Sequence, residues 1–163
     1  MTARVWKFGD DINTDLIIPG KYLDSYDPAH LAAHAMEGVS RDFPNAVSKG
    51  DIIVAGSNFG CGSSREQAVI ALKHAGVAAI VAKSFARIFY RNSINLGLLV
   101  LISSDAFDIL EDGEEVVLDE RVLSSRDRTK EATIEPVPEH LRKILEQGGL
   151  VPFISTRLNK DKT

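Results

Sequence analysis

The stretch Asp51-Ile-Ile-Val-Ala-Gly56-Ser-Asn-Phe-Gly60-Cys-Gly-Ser-Ser-Arg-Glu66 decides how this chain folds. Asp51 to Ala55 is a short apolar run of strand length. Gly56 to Ser64 is a loop with glycines at 56, 60 and 62. A helix is predicted from Ser64 to Ala75, stopped by Gly76 at the position that favours left-handed backbone. Ala78 to Ala82 is a second buried strand. Strand, helix and strand within about thirty residues make a βαβ unit, whose strands lie parallel.

Working outward, Arg4 to Phe8 reads as a strand ending at Gly9-Asp10. A polar loop, Asp11 to Asp15, leads to Leu16 through Pro19 and Gly20. Asp27-Pro28 opens a helix, with Asp at the N-cap and Pro at the first helical position. That helix is expected to run to Glu37, where Gly38 stops it. Phe85 to Asn95 is helical, Leu98 to Ile102 is a third apolar strand, and Asp105 to Glu111 is a short helix. Glu114 to Leu118, Val122-Leu123 and Ala132 to Ile134 read as antiparallel strands. Pro138 to Gln147 is a last helix ended by Gly148-Gly149, and Arg157 to Thr163 is a polar tail expected to fray. The sum is a single α/β domain over residues 1–163 with a mixed, partly parallel sheet.

Composition narrows the class. The chain has 163 residues, with 19 basic and 23 acidic side chains, a net charge of −4, and 44% apolar residues. That suits a domain with a real core and excludes low-complexity disorder. The longest apolar run, Leu96 to Ile102, falls short of the roughly 18 residues a membrane span needs. The N-terminus lacks the apolar segment of a secretory signal. Mild acidity without a basic stripe argues against nucleic acid and membrane surfaces as partners. Cys61 is the single cysteine. It cannot form an internal disulfide, nor by itself hold a zinc or an iron–sulfur cluster. No metal ligand set is expected in this chain, and a cytoplasmic location is.

The glycine loop sits where ligands bind in parallel α/β sheets, outside the carboxyl end of a strand and before a helix N-terminus. Such an N-terminus favours anions, and Arg65 adds a guanidinium fork that matches a carboxylate or phosphate. The same residues also spell a capping box, Ser63-Ser64-Arg65-Glu66, which by itself signals only a helix start. An ion pair for Arg65 has no i+4 partner, since position 69 is Val. Nucleotide motifs fail: the glycines at 56 and 62 are one residue too far apart for a P-loop, and Arg65 stands where the dinucleotide fingerprint needs glycine. Gly-x-Ser-x-Gly is absent. Cys61 reads either as a nucleophile without a nearby His or as a packed loop residue.

Gly56 to Glu66 resembles the active-site loop of the aconitase swivel domain. Two further segments agree in order: Gly9-Asp-Asp-Ile-Asn-Thr-Asp15-Leu-Ile-Ile-Pro19, similar to the family's N-terminal Thr-Asp segment, and Ala82-Lys-Ser-Phe-Ala-Arg-Ile-Phe-Tyr-Arg-Asn-Ser-Ile-Asn-Leu-Gly97, similar to its following helix. The match spans residues 4–102. In length the chain is similar to the free-standing small subunits of isopropylmalate isomerase and homoaconitase type enzymes.

The resemblance implies a three-layer β/β/α swivel domain and a split hydro-lyase of the kind that serves leucine and other branched-chain amino acid biosynthesis. A separate large subunit, in a heterodimer or heterotetramer, would carry a four-iron four-sulfur cluster, and this chain would bind no cofactor itself. The substrate would be a small 2-hydroxy-dicarboxylate such as isopropylmalate, dehydrated to an alkene acid and rehydrated as its positional isomer. Ser63 would be the base, as an alkoxide stabilised by the helix end, backbone N–H groups and cations. Ser64 and Arg65 would hold a substrate carboxylate. Asp15 would orient the site, or form a local turn with Thr14. Asn58, Gly60 and Gly62 would support the loop. Arg87 and Arg91, one helical turn apart, would brace the fold or the subunit contact.

In the family, the loop after the Pro-Gly segment reads the variable part of the substrate. Here it is Tyr22-Leu23-Asp24-Ser25-Tyr26, so Leu23, Asp24 and Ser25 are candidate specificity residues. Homoaconitase-like members carry Arg after Tyr-Leu, where this chain has Asp24, which would repel an extra carboxylate. Isopropylmalate-type members place apolar residues there, and Asp24-Ser25 is not apolar. Methylmalate, dimethylmalate and homoaconitate stand as alternative substrates. A non-catalytic carboxylate-binding module stands as the alternative to an enzyme.

Overall fold

In the computed structural model, which describes residues 2–162, strand β1 (Ala3–Phe8) pairs in parallel with β2 (Ile52–Ala55). β2 pairs in parallel with β3 (Ala79–Ala82), and β3 with β4 (Leu99–Ile102). On its other edge β1 pairs antiparallel with β5 (Glu115–Leu118), followed by β6 (Val122–Ser125) and β7 (Glu131–Thr133) as an antiparallel meander. The resulting order is β4-β3-β2-β1-β5-β6-β7. The mixed sheet expected from sequence is present, with the βαβ unit at its centre.

Burial on both faces explains why β2 and β3 are continuous apolar runs rather than alternating ones. Ile53, Ala55, Ile80 and Ala82 point into one core, shared with Leu31, Phe43, Leu72, Phe89 and Ile94 from the helices. Ile52, Val54, Ala79 and Val81 point into a second core, shared with Val116, Leu123 and Ala132 from the meander and with Leu110. The helices that carry Leu31, Phe43, Leu72 and Phe89 thus cover one face, and the meander with the short helix Ala106–Ile109 covers the other, giving the β/β/α layering.

The helices are α1 (Thr14–Ile17), α2 (Pro28–Ala32), α3 (Phe43–Ala46), α4 (Glu66–Ala75), α5 (Arg87–Leu96), α6 (Ala106–Ile109), α7 (Glu139–Glu146) and α8 (Leu150–Lys160). None of them is long and apolar enough to cross a membrane. Four depart from the sequence expectation, and α3 is one of them, since no element was expected over Phe43–Ala46. The helix expected to reach Glu37 stops at Ala32, because the chain turns back onto α1. Met36 takes a left-handed φ of 59° and donates its N–H to the Ile17 carbonyl at 2.7 Å. A Cβ on Gly38 would lie 2.6 Å from the Leu16 Cα, so this turn admits no side chain there. Residues 14–17, read as loop and apolar run, form α1, capped by the Asn13 side chain, which accepts from the Leu16 N–H. The tail expected to fray from Arg157 is helical to Lys160 as the end of α8, whose Pro152 sits in the first turn, where its missing N–H costs nothing. Thr163 lies outside the described residues.

Candidate active site

The glycine loop is held by the segment that precedes α1. Asp11 donates its N–H to Ser57 O at 2.8 Å, Gly60 to Ile12 O at 2.7 Å, and Thr14 to Cys61 O at 2.9 Å. The Asp10 carboxylate accepts the Ser57 N–H at 2.7 Å. The Thr14 hydroxyl donates to the Ser63 carbonyl at 2.9 Å, fixing the backbone of the expected base. Asn58, at a left-handed φ of 61°, donates its side-chain amide to Asp11 at 3.0 Å. Two chain segments some fifty residues apart are therefore zipped together by main-chain and carboxylate bonds before any ligand arrives.

Gly60 and Gly62 do different work. Gly60 has φ +82°, and a Cβ there would sit 2.1 Å from the Phe89 ring, so its bareness admits Phe89. That ring anchors the loop through Phe59, 5.4 Å away between centroids. Gly62 has φ +93° but no atom nearer than 3.5 Å to a would-be Cβ, so only its backbone angle is special.

The capping box does not form. Helix α4 begins at Glu66 with Arg65 at the N-cap position, and no side chain caps it. Ser63 and Ser64 are exposed, and neither hydroxyl has a hydrogen-bond partner among the described residues. Arg65 reaches back to Asp15 in an ion pair, and the same nitrogen donates to the Ile18 carbonyl at 3.4 Å. Its Nε and Nη2 make no hydrogen bond or ion pair among the described residues, which leaves the donors of one edge of the fork free.

A cleft of about 290 Å³ opens here. It is lined by Gly62, Ser63, Ser64 and Arg65 from the loop and by Arg87, Ile88 and Asn92 from α5. Thr14, Ala86, Arg87, Ile88 and Asn92 were not singled out as site residues from sequence. Their signal was present in the topology: Ser84-Phe85 follows β3 as Gly56 follows β2, so both loops lie at carboxyl ends of neighbouring parallel strands. The Phe59 and Phe85 backbones bridge the two loops, with Ala86 donating to Phe59 O at 2.9 Å.

Leu23, Asp24 and Ser25 lie outside the cleft lining. Leu23 ends a 3-10 turn (Gly20–Tyr22) and packs on the helical core. Asp24 is exposed, and Ser25 accepts the Asp27 N–H at 3.0 Å. Beside them the Tyr22 ring stacks on His34, with centroids 3.7 Å apart, and donates its hydroxyl to Glu37 at 2.9 Å. Hydrogen bonding from His34, then from Tyr22, holds the Glu37 carboxyl below its ordinary value of 4.5 despite some opposing burial. Cys61 is a half-buried free thiol that does not line the cleft, and no His does.

Fold and cleft together define a β/β/α domain whose glycine loop, with Arg65 at its end, lies at the carboxyl ends of parallel strands. The family Aconitase C-terminal domain matches residues 33–106. The chain is 55% identical over 154 residues to the 3-isopropylmalate dehydratase small subunit 1 of Methanopyrus kandleri, covering 93% of this chain and 91% of that one. It is also 55% identical over 151 residues to the methanogen homoaconitase small subunit of Methanothermobacter thermautotrophicus, covering 91% and 87%. The crystal structure of 3-isopropylmalate dehydratase from Methanocaldococcus jannaschii matches with a TM-score of 0.92 and 48% identity, over 99% of this chain and 98% of that one. The chain belongs to the 3-isopropylmalate dehydratase small-subunit family, hydro-lyase subunits built on the aconitase C-terminal domain.

Proposed function

We propose that this chain works as one cytoplasmic swivel domain that completes the active site of a large subunit and interconverts 2-isopropylmalate and 3-isopropylmalate through the alkene acid. The observation that carries this reading is the pair of unengaged hydroxyls, Ser63 and Ser64, beside the half-open guanidinium fork of Arg65. Arg65 binds a carboxylate of the substrate through Nε and Nη2, and Ser64 donates to the same group. Ser63, as alkoxide, takes the proton from the carbon next to a carboxylate. The C–H bond breaks, a serine O–H bond forms, the electron pair becomes the alkene, and hydroxide leaves. Hydroxide then adds to the carbon that lost the proton, the serine returns its proton to the carbon that lost the hydroxyl, and the positional isomer results with the serine again an alkoxide.

The four-iron four-sulfur cluster of such chemistry belongs to the large subunit in this reading. This chain's residues do not fit it: Cys61 is a single thiol, and no group of three His, Cys, Asp or Glu among the described residues is placed to hold a metal.

Similarity to a homoaconitase small subunit favours a second reading, with a substrate carrying one more carboxylate. Asp24 lies outside the cleft lining of this chain, so its charge does not decide between the two. The test is co-expression with the large subunit, purification without oxygen, and assay of isopropylmalate, methylmalate, dimethylmalate and homocitrate side by side. Preference for isopropylmalate is the expected result. Preference for a smaller malate or for homocitrate reassigns the substrate, and turnover by this chain alone rejects the two-subunit reading.

A further inference from the structure

We propose that a groove at the amino end of the parallel strands receives helix α8 of a second copy of this chain, in a two-fold dimer that leaves the catalytic cleft free. The groove has a volume of about 610 Å³. Ala78 and Gly97, just before β3 and β4, line it, so it lies at the end of the sheet opposite the cleft. Leu99 and Leu101 of the edge strand β4, with Val137 and Leu145, give it apolar surface. Four acids, Asp119, Glu120, Glu139 and Glu146, line it against two arginines, Arg121 and Arg142. No residue of this copy's own α8 contributes to it.

Helix α8 has the complementary character. Val151, Ile154 and Leu158 are 74%, 46% and 57% exposed, and their spacing of three and four residues places them on one stripe. The helix carries no acidic residue, and Arg157 and Lys160 stand in its last turn. A basic helix with an apolar stripe matches a leucine-lined groove with an excess of acids. α7 lines the groove with Leu145 and Glu146 and also packs against α8, so helix and groove are neighbours on the surface. A helix seated in a neighbour's groove without closure would build a filament, whereas a two-fold axis beside both features closes the assembly. Three side chains alone fall short of the about 800 Å² per partner that stable interfaces bury, and the reciprocal arrangement uses helix and groove twice. A large subunit covering the cleft would approach the other end of the strands and would not compete.

The test uses the full chain. Sedimentation velocity follows its oligomeric state, and hydrogen exchange its backbone, as concentration is raised from about 1 to about 100 μM. A monomer–dimer equilibrium is expected, in which residues 150–158 and the groove segments 118–121 and 136–146 gain protection together. Ile154→Asp and Leu158→Ser are expected to weaken the dimer about tenfold or more, with thermal midpoints of the monomer unchanged. A chain that stays monomeric at every concentration overturns the proposal. So does a dimer in which 150–158 is protected and the groove segments are not, since α8 then pairs with α8, or one protected only around the cleft. An Ile154→Asp chain that dimerises normally but no longer associates with the large subunit also overturns it, because the face then belongs to that subunit. The wild-type exchange pattern decides the matter even where a variant fails to fold. No part of the test measures turnover, so its outcome is independent of the hydro-lyase reading.

Discussion

Asp15 and Arg65, fifty residues apart in the chain, form an ion pair that fixes which edge of the guanidinium faces the cleft. The arginine side chain is 17% exposed and the aspartate 66%, so Asp15 holds Arg65 from the solvent side. An exposed pair adds little to stability, about 0–1 kcal/mol. Its effect is on orientation. Asp15→Asn is therefore expected to leave the thermal midpoint nearly unchanged and to lower kcat/KM of the assembled enzyme by about tenfold or more, through an Arg65 that no longer presents Nε and Nη2 together. Melting curves and initial rates on the same preparation check both halves.

Ser63 separates catalytic from structural roles. As the N-cap of a capping box, its loss would cost about 0.5–2 kcal/mol. In the structure its hydroxyl caps nothing, and its backbone is held by Thr14 through the carbonyl. Ser63→Ala is expected to change unfolding free energy by less than about 0.5 kcal/mol in urea titration. Thr14→Val removes that bond and is expected to destabilise the loop by about 1 kcal/mol or more.

The two loop glycines should respond unequally. Gly62→Ala meets only the left-handed backbone cost, about 1–2 kcal/mol. Gly60→Ala bears that cost and also drives its methyl group into the Phe89 ring, for a total on the order of 3 kcal/mol or more. Chemical denaturation of the two variants measures the difference directly.

Glu37 provides a pH signature beside the Tyr22–Ser25 turn. Its folded carboxyl sits below the ordinary 4.5, chiefly because His34 hydrogen-bonds to it at 2.6 Å. A lowered carboxyl contributes stability that is present above the unfolded value and is lost as pH falls through the folded value. Glu37→Gln is expected to be less stable than wild type at neutral pH, and the gap is expected to close as pH drops below about 4.5. Stability measured from pH 7 to pH 3 tests this sign.

Much of this architecture was legible from residues. The apolar runs 52–55 and 79–82 around a glycine-stopped helix define the parallel core, because burial on both faces leaves no room for alternation. The Asp15 partnership with the loop was legible only through the resemblance, since nothing local at 15 points to position 65. The N-terminus of α4 was misread because Ser-x-x-Glu spacing is shared by capping boxes and by loops whose serines stay free. The helix from Pro28 was drawn too long because the fold-back at Met36 is imposed by the distant Ile17 carbonyl. The α5 part of the cleft lining was not recognised, since Arg87 and Asn92 belong to a helix whose sequence reports only its own amphipathic packing.

The most direct test of the central claim is the rate of isopropylmalate dehydration by the cluster-loaded complex carrying Ser63→Ala. Subunit association, cluster content and thermal midpoint are measured on the same sample. The account predicts normal assembly and a rate lower by about 10²–10⁴-fold, the usual contribution of a general base. A fully assembled Ser63→Ala complex that turns over at the wild-type rate would contradict it.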